Sequence, residues 1–170
     1  MPGCLLNSVH PITRTPPRGP DAARAIVVIG LGLDVPWPYP RFQLTLDEYS
    51  VEKHTITGTC VHYNRIEITR PADPGNVTYL VYEVPANTYV YSGRNANATL
   101  ASSAGLAFTV PPGATVYLGD YVYVGNKTMQ YRHDIDAARS GARALLPPGT
   151  VLEPAAPAAV THAAPLLCTP

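Results

Sequence analysis

Apolar and polar positions alternate one by one through the middle of this chain. Tyr79–Arg94 (YLVYEVPANTYVYSGR) and Ala107–Val124 (AFTVPPGATVYLGDYVYV) share one plan: an alternating strand ending in Val-Pro, a tight turn, and a second strand in which Tyr and Val alternate. Period-two alternation around a Pro/Gly/Asn turn predicts an antiparallel hairpin in each. Phe42, Leu44 and Leu46 alternate with Gln43, Thr45 and Asp47, a half-exposed strand, whereas the unbroken run Ala25–Leu33 (AIVVIGLGL) predicts a buried one. His54–Arg70 predicts two more strands, with Gly58 as a bulge or turn, and Pro71–Asn76 is a strong turn. Gly119-Asp120 interrupts the last alternation and predicts a bulge. The period lengthens only at Asp134–Leu146, where Ile135, Ala138, Ala142 and Leu145 fall on one helical face. Asp134 can cap that helix and Pro147-Pro148-Gly149 stops it.

Short strands at close spacing with one late helix predict a mainly-β fold: an antiparallel β-sandwich of about seven strands with one short C-terminal helix. A small β-barrel is the alternative. Residues 1–24, punctuated by Pro and Arg, read as a flexible leader or tether, residues 25–149 as the sandwich domain, and residues 150–170 as an Ala/Pro-rich tail docked on it. Pro36-Trp37-Pro38-Tyr39-Pro40 predicts a rigid crossover. Asn95–Gly105 is patternless and predicts a surface loop.

Composition narrows the function classes. The formal net charge is zero and only 14% of residues are charged, so no field draws in nucleic acid, and no nucleic-acid partner is expected. Gly30-Leu31-Gly32 lacks the third glycine and the following helix of a dinucleotide fingerprint, and no cofactor is expected. The Arg-heavy, Ala/Pro-rich composition suggests a bacterial chain, in which Asn76, Asn97 and Asn126 serve as turn residues rather than glycosylation acceptors.

Three cysteines and a set of tyrosines carry the remaining chemistry. Cys60 lies in a predicted core region and Cys168 follows two leucines at the end of the tail, so a Cys60–Cys168 disulfide would hold the tail down in an oxidising compartment. Two unrelated thiols are the alternative. Cys4, after Met1-Pro2-Gly3, partly matches the acylation site of bacterial lipoproteins, and the Pro/Arg-rich run after it would suit a tether. Cys60 and His62 share a strand face, which allows a Cys-dependent hydrolase as a weaker alternative, although no orienting third group is visible. With His54 they lack the spacing of a metal site. Tyr117, Tyr121 and Tyr123 share one parity, as do Tyr89 and Tyr91, opposite to Val116, Leu118, Val122 and Val124. With the valines facing the core, the tyrosines would form an exposed face able to stack on sugars or extended peptides. Cross-strand pairing that only stabilises the sheet is the simpler reading.

Tyr82-Glu83-Val84-Pro85 with Tyr89, then Phe108-Thr109-Val110-Pro111-Pro112-Gly113, then Val116-Tyr117-Leu118-Gly119-Asp120 and a short helix form an ordered series. This series, over roughly residues 79–146, resembles uncharacterised bacterial envelope lipoproteins built on a transthyretin- or carboxypeptidase-regulatory-like β-sandwich. This chain has Ala86-Asn87 where that pattern has a Gly turn. The resemblance implies no catalytic residues. It implies a non-enzymatic structural or protein-interaction module of the bacterial cell envelope. An envelope protein is then the expected partner, and a lipid on Cys4, read from the N-terminal residues themselves, would anchor a periplasmic domain in the membrane. If no signal peptide precedes the chain, the location would be cytoplasmic.

Overall fold

A computed structural model of the chain describes residues 6–15, 19–59, 61–91, 99–100 and 105–160. Its strands are, in chain order, β1 (Leu6–Asn7), β2 (His10–Pro11), β3 (Arg24–Leu33), β4 (Leu44–Ser50) and β5 (Thr55–Ile56). There follow β6 (His62–Tyr63), β7 (Arg65–Ile68), β8 (Val77–Pro85), β9 (Thr88–Tyr91) and β10 (Thr99–Leu100). The last are β11 (Gly105–Thr109), β12 (Thr115–Gly125), β13 (Thr128–Arg132), β14 (Glu153–Pro154) and β15 (Pro157–Val160), with helix α1 (Ile135–Ala142) between β13 and β14.

Two open sheets face each other as a β-sandwich, and neither closes into a barrel. One has the order β10-β13-β12-β3-β8-β2, with β14 also on β12, and the other β15-β11-β9-β4-β5, with β7 also on β4. Between them lies the main core, filled from one sheet by Val27, Ile29, Leu31, Val84, Leu118 and Tyr121 and from the other by Leu46, Ile66, Tyr89, Tyr91 and Phe108. The pairing is mixed rather than wholly antiparallel, because the two longest strands, β3 and β12, run parallel at the centre of their sheet.

The two predicted hairpins are both interlayer arches. β8 pairs with β3 and β2, while β9 pairs with β11 and β4 in the opposite sheet. β11 and β12 are divided between the sheets in the same way. The local pattern is that of a hairpin, but Tyr82 and Val84 before the turn and Tyr89 and Tyr91 after it all need the same core. That is met by placing the two strands on opposite walls. The turns are bonded sideways: Ala86 N–H donates to Ala23 O (3.0 Å), Val110 N–H to Asn87 O (2.8 Å) and Gly113 N–H to Arg24 O (2.7 Å). β12–β13 does form a hairpin, whose turn places Asn126 and Lys127 at φ of 50° and 57°, the primed geometry that matches strand twist.

α1 packs on the outer face of the β3 sheet. Asp134 caps it by accepting from Ala137 N–H (3.0 Å), and Ala138 and Ala142 are fully buried over Ile26, Val28, Val81 and Tyr117. This second layer explains why every residue of Ala25–Leu33 is buried: odd positions meet the opposite sheet, while Ile26 and Val28 meet the helix. Residues 6–15, expected to belong to a flexible leader, are laid on the domain. β1 pairs with β6, β2 pairs with β8, Ile12 N–H donates to Val81 O (2.8 Å), and Val9 is buried. Apolar Val9 and Ile12 give this segment something to bury, which a reading by proline content overlooks. Of the tail, β14 joins β12 and β15 joins β11, and residues 161–170 lie outside the described residues.

Candidate functional site

The exposed tyrosine face is corrected by the structure. Tyr89, Tyr91, Tyr117, Tyr121 and Tyr123 are all at most 1% exposed. Both faces of β12 are covered, so parity distinguishes two cores rather than core from solvent. The bulge at Gly119-Asp120, where β12 slips against β3, also changes the parity within the strand. Before it Val116 and Leu118 face the opposite sheet and Tyr117 lies under the helix; after it Tyr121 and Tyr123 take the inward position. Tyr91 and Tyr121 stack across the core with centroids 5.0 Å apart. Tyr89 Oη donates to Pro85 O (2.9 Å), and burial raises its pKa above the usual phenol value.

Tyr121 Oη is buried with no hydrogen-bond partner among the described residues. A buried orphan hydroxyl costs about 1–3 kcal/mol, so Tyr121→Phe is expected to raise stability by about 1 kcal/mol in urea unfolding. A loss of stability would show instead that the hydroxyl is bonded in solution.

Cys4, Cys60 and Cys168 lie outside the described residues. His62, the base paired with Cys60 in the hydrolase reading, is exposed, and its Nε2 lies 2.6 Å from Ser8 Oγ. Tyr49 Oη lies 3.3 Å from His54 Nδ1, with His54 in a tight turn at φ 53°.

With the tyrosine face closed, aromatic surface remains where the chain crosses from β3 to β4. The Pro36–Pro40 block forms no helix or strand, and Trp37 within it packs back on the end of the sandwich core. Its ring meets Tyr39, Phe42 and Tyr123 edge-on at centroid distances of 5.2, 4.8 and 4.8 Å, and its Nε1–H donates to Arg41 O (3.0 Å). Phe42 is buried, so Trp37 and Tyr39, both half-buried, form the lip of a cleft of about 530 Å³. Gln43 and Glu67 stand on the other wall, with Gln43 Nε2 donating to Glu67 Oε1 (2.9 Å). A second cleft of about 340 Å³ continues from it, sharing Glu67, Thr69 and Pro71 and ending on Leu31, Leu80 and Tyr82.

The two clefts together follow the open side of the sandwich, between edge strand β7 and strand β8. The Arg65 end of β7 is closed by Asn7, which donates through Nδ2 to Arg65 O (2.8 Å) and accepts through Oδ1 from Arg65 N–H (3.1 Å). Further along, Tyr82 Oη donates to Glu67 O (3.4 Å), and burial pushes the Tyr82 phenol up to about 12. The groove carries Arg41 and Arg70 against Glu67 and Asp73. Its charges balance, so it suits a neutral ligand with flat or ring-shaped apolar parts and hydrogen-bonding groups between them.

A second polar feature lies on the outer face of the β3 sheet. Asp120 is 3% exposed, beneath the N-terminal end of α1. Tyr117 Oη donates to its carboxyl and accepts from Asp134 N–H (3.2 Å), and the exposed His133 ring lies 4.9 Å from the Tyr117 ring. Asp120 Oδ1 has no partner among the described residues. Burial raises the Asp120 pKa, against the opposing hydrogen bond from Tyr117. Tyr79 beside it is pushed up to about 12, first by burial and then by the charges of Asp120 and Asp134. The room for this carboxyl comes from Gly30, directly across in β3, where any side chain would overlap it. The Gly30-Leu31-Gly32 spacing therefore reflects packing. In the sequence, Asp120 reads as a bulge residue and as the last position of the Val116–Asp120 series, and neither reading places it in a core.

No family model, no curated protein and no solved structure matches this chain.

Proposed function

We propose that the chain is a non-enzymatic protein-interaction module of the bacterial cell envelope, and that an extended segment of its partner seats in the groove between Trp37 and Tyr82. The observation that carries this reading is the half-buried Trp37–Tyr39 lip, which opens into a continuous cleft beside an edge strand. Aromatic clefts take extended peptides through their apolar side chains, and an adjoining strand edge supplies backbone hydrogen bonds. The envelope location is supported by the series Val84-Pro85, Val110-Pro111-Pro112-Gly113 and Val116–Asp120, which forms the two arches and the bulge of the fold. An acyl group on Cys4 and a Cys60–Cys168 disulfide belong to the same reading. Intact-mass analysis of envelope-derived protein, before and after reduction, reads both.

A second reading, a glycan in the same groove, is favoured by one feature. The Gln43–Glu67 amide–carboxylate pair beside two rings is the donor and acceptor set that hydroxyl groups use.

Probing wild type and the surface variants Tyr39→Ala and Gln43→Ala with arrays of extended peptides and of oligosaccharides separates the two. Peptide binding that falls about tenfold in Tyr39→Ala is expected, from the loss of one aromatic contact of about 1–2 kcal/mol. Sugar binding alone, lost in Gln43→Ala, would favour the glycan. Binding unchanged in both variants would remove the groove from the function. Tyr39→Ala is preferred to a change at Trp37, whose ring also covers core Tyr123.

A further inference from the structure

The C-terminal end of α1 forms a separate cleft, which shares no lining residue with the Trp37 groove. Arg139 and Arg143 stand one turn apart on the helix flank. Opposite them the chain doubles back through Pro147-Pro148-Gly149-Thr150, where Pro147 O accepts from Thr150 N–H (3.2 Å) and from Thr150 Oγ1 (2.7 Å). Two prolines, these two bonds and Gly149 at φ 76° make this wall rigid. The N-terminal segment forms a further wall, fixed by Thr15 Oγ1 donating to Ala144 O (2.5 Å). The open cleft has a volume of about 820 Å³, within the range of small-molecule sites, and Leu146, Val151 and Leu152 line its apolar part.

The charge in this cleft is of one sign. No Asp or Glu lines it. Arg139 is held across it, donating to Leu152 O (3.3 Å) and to Asp136 Oδ1 (3.1 Å). The exposed Arg143 guanidinium makes no hydrogen bond or ion pair among the described residues. Two like charges one turn apart on a helix repel by a few tenths of a kcal/mol, and the exposed Asp136 ion pair offsets this on the Arg139 side only in part. An oxyanion between them would relieve that repulsion and match the planar guanidinium fork. Val151, 70% exposed at the mouth, leaves apolar surface in water beside these cations.

We propose that this cleft binds a small amphiphilic anion. Its carboxylate or phosphate head sits between Arg139 and Arg143, and its hydrocarbon body lies along Leu146, Val151 and Leu152. The site does not depend on the Trp37 groove or on any envelope partner.

The test is titration of the protein with decanoate, decyl phosphate and decanol below their aggregation concentrations, followed by calorimetry and amide chemical shifts. Decanoate or decyl phosphate is expected to shift amides of residues 139–152, and the tighter of the two identifies the head group. Losing one charge-assisted hydrogen bond weakens binding about tenfold or more, so decanol and the variant Arg143→Gln should each show at least that loss, with Arg143→Lys between. Arg143 has no hydrogen-bond or ion-pair partner among the described residues, and an unchanged unfolding midpoint in Arg143→Gln shows that only the site is altered. Equal binding of decanol and decanoate, equal binding by wild type and Arg143→Gln, shifts confined to other segments, or no binding by any probe would each overturn the proposal.

Discussion

Gly119→Ala is expected to destabilise the domain by about 2–5 kcal/mol, read as a lower urea midpoint at unchanged slope. Two costs add. Gly119 sits at φ 95°, where an L-residue is strained by about 1–2 kcal/mol. A Cβ there would also come within 2.5 Å of Tyr131 Cζ and 2.6 Å of its Oη. Tyr131 cannot withdraw freely, because its ring is lodged against Phe108 and Tyr121 at 5.9 and 5.8 Å. Forcing extra atoms into such packing costs about 1–3 kcal/mol. Gly113→Ala supplies the control: Gly113 also has positive φ, 70°, but nothing lies within 4 Å of its Cβ position. It should lose the backbone cost alone. If the two variants lose the same amount, the Tyr131 packing is looser than the structure has it. The consequence reaches beyond local strain, because the bulge at Gly119 lets Tyr121 and Tyr123 point inward after Tyr117 has pointed out.

That bulge also marks the limit of what could be read from the chain. Alternation in β4, β8, β9 and β12 identified the strands, Asp134 and the Ile135–Leu145 stripe identified the helix, and together they were enough for a sandwich. All three are local patterns. Whether the strand after Pro85 returns beside its predecessor or crosses to the other sheet depends on which surfaces are left to cover. A two-residue turn looks the same in either case. The tyrosines were misplaced for a related reason. Alternation says only that two faces differ, and placing the valines in the core leaves the tyrosines outside. In a chain with 2 Phe, 1 Trp and 11 Tyr, the aromatic volume of the core has to come from tyrosine. The Trp37–Tyr39 lip was recognised as a rigid crossover but not as a site, since its cleft exists only where the crossover meets β7, nearly thirty residues further on. Asp120 was readable as a bulge, while its burial depends on Gly30, far away in sequence.

Asp120→Asn is expected to make the domain progressively more stable than wild type as pH rises. The native carboxyl is buried with Oδ1 unpartnered, so it holds its proton above the ordinary carboxylate value of 3.8, while the unfolded chain releases it near that value. Between the two pKa values the native state binds more protons than the unfolded state, and stability therefore falls with rising pH in that window. Below it both states are neutral and the penalty vanishes; above it the full cost of a buried charge is present. Asn keeps an acceptor for Tyr117 Oη but cannot ionise. Its amide hydrogens carry a cost of their own, and that cost is the same at every pH. The diagnostic quantity is therefore the change in the stability difference between variant and wild type, expected to grow by about 1–3 kcal/mol from pH 4 to pH 7. Asp47, whose pKa is also raised by burial against the pull of Arg65, titrates in both proteins and cancels. Arg132, His133 and Asp134 are common to both and cancel to first order. Urea unfolding of the two proteins at pH 4, 5, 6 and 7 measures it. A difference that stays constant over that range would mean that Asp120 is solvated, and that α1 does not close over it as tightly as Gly30 and Tyr117 imply.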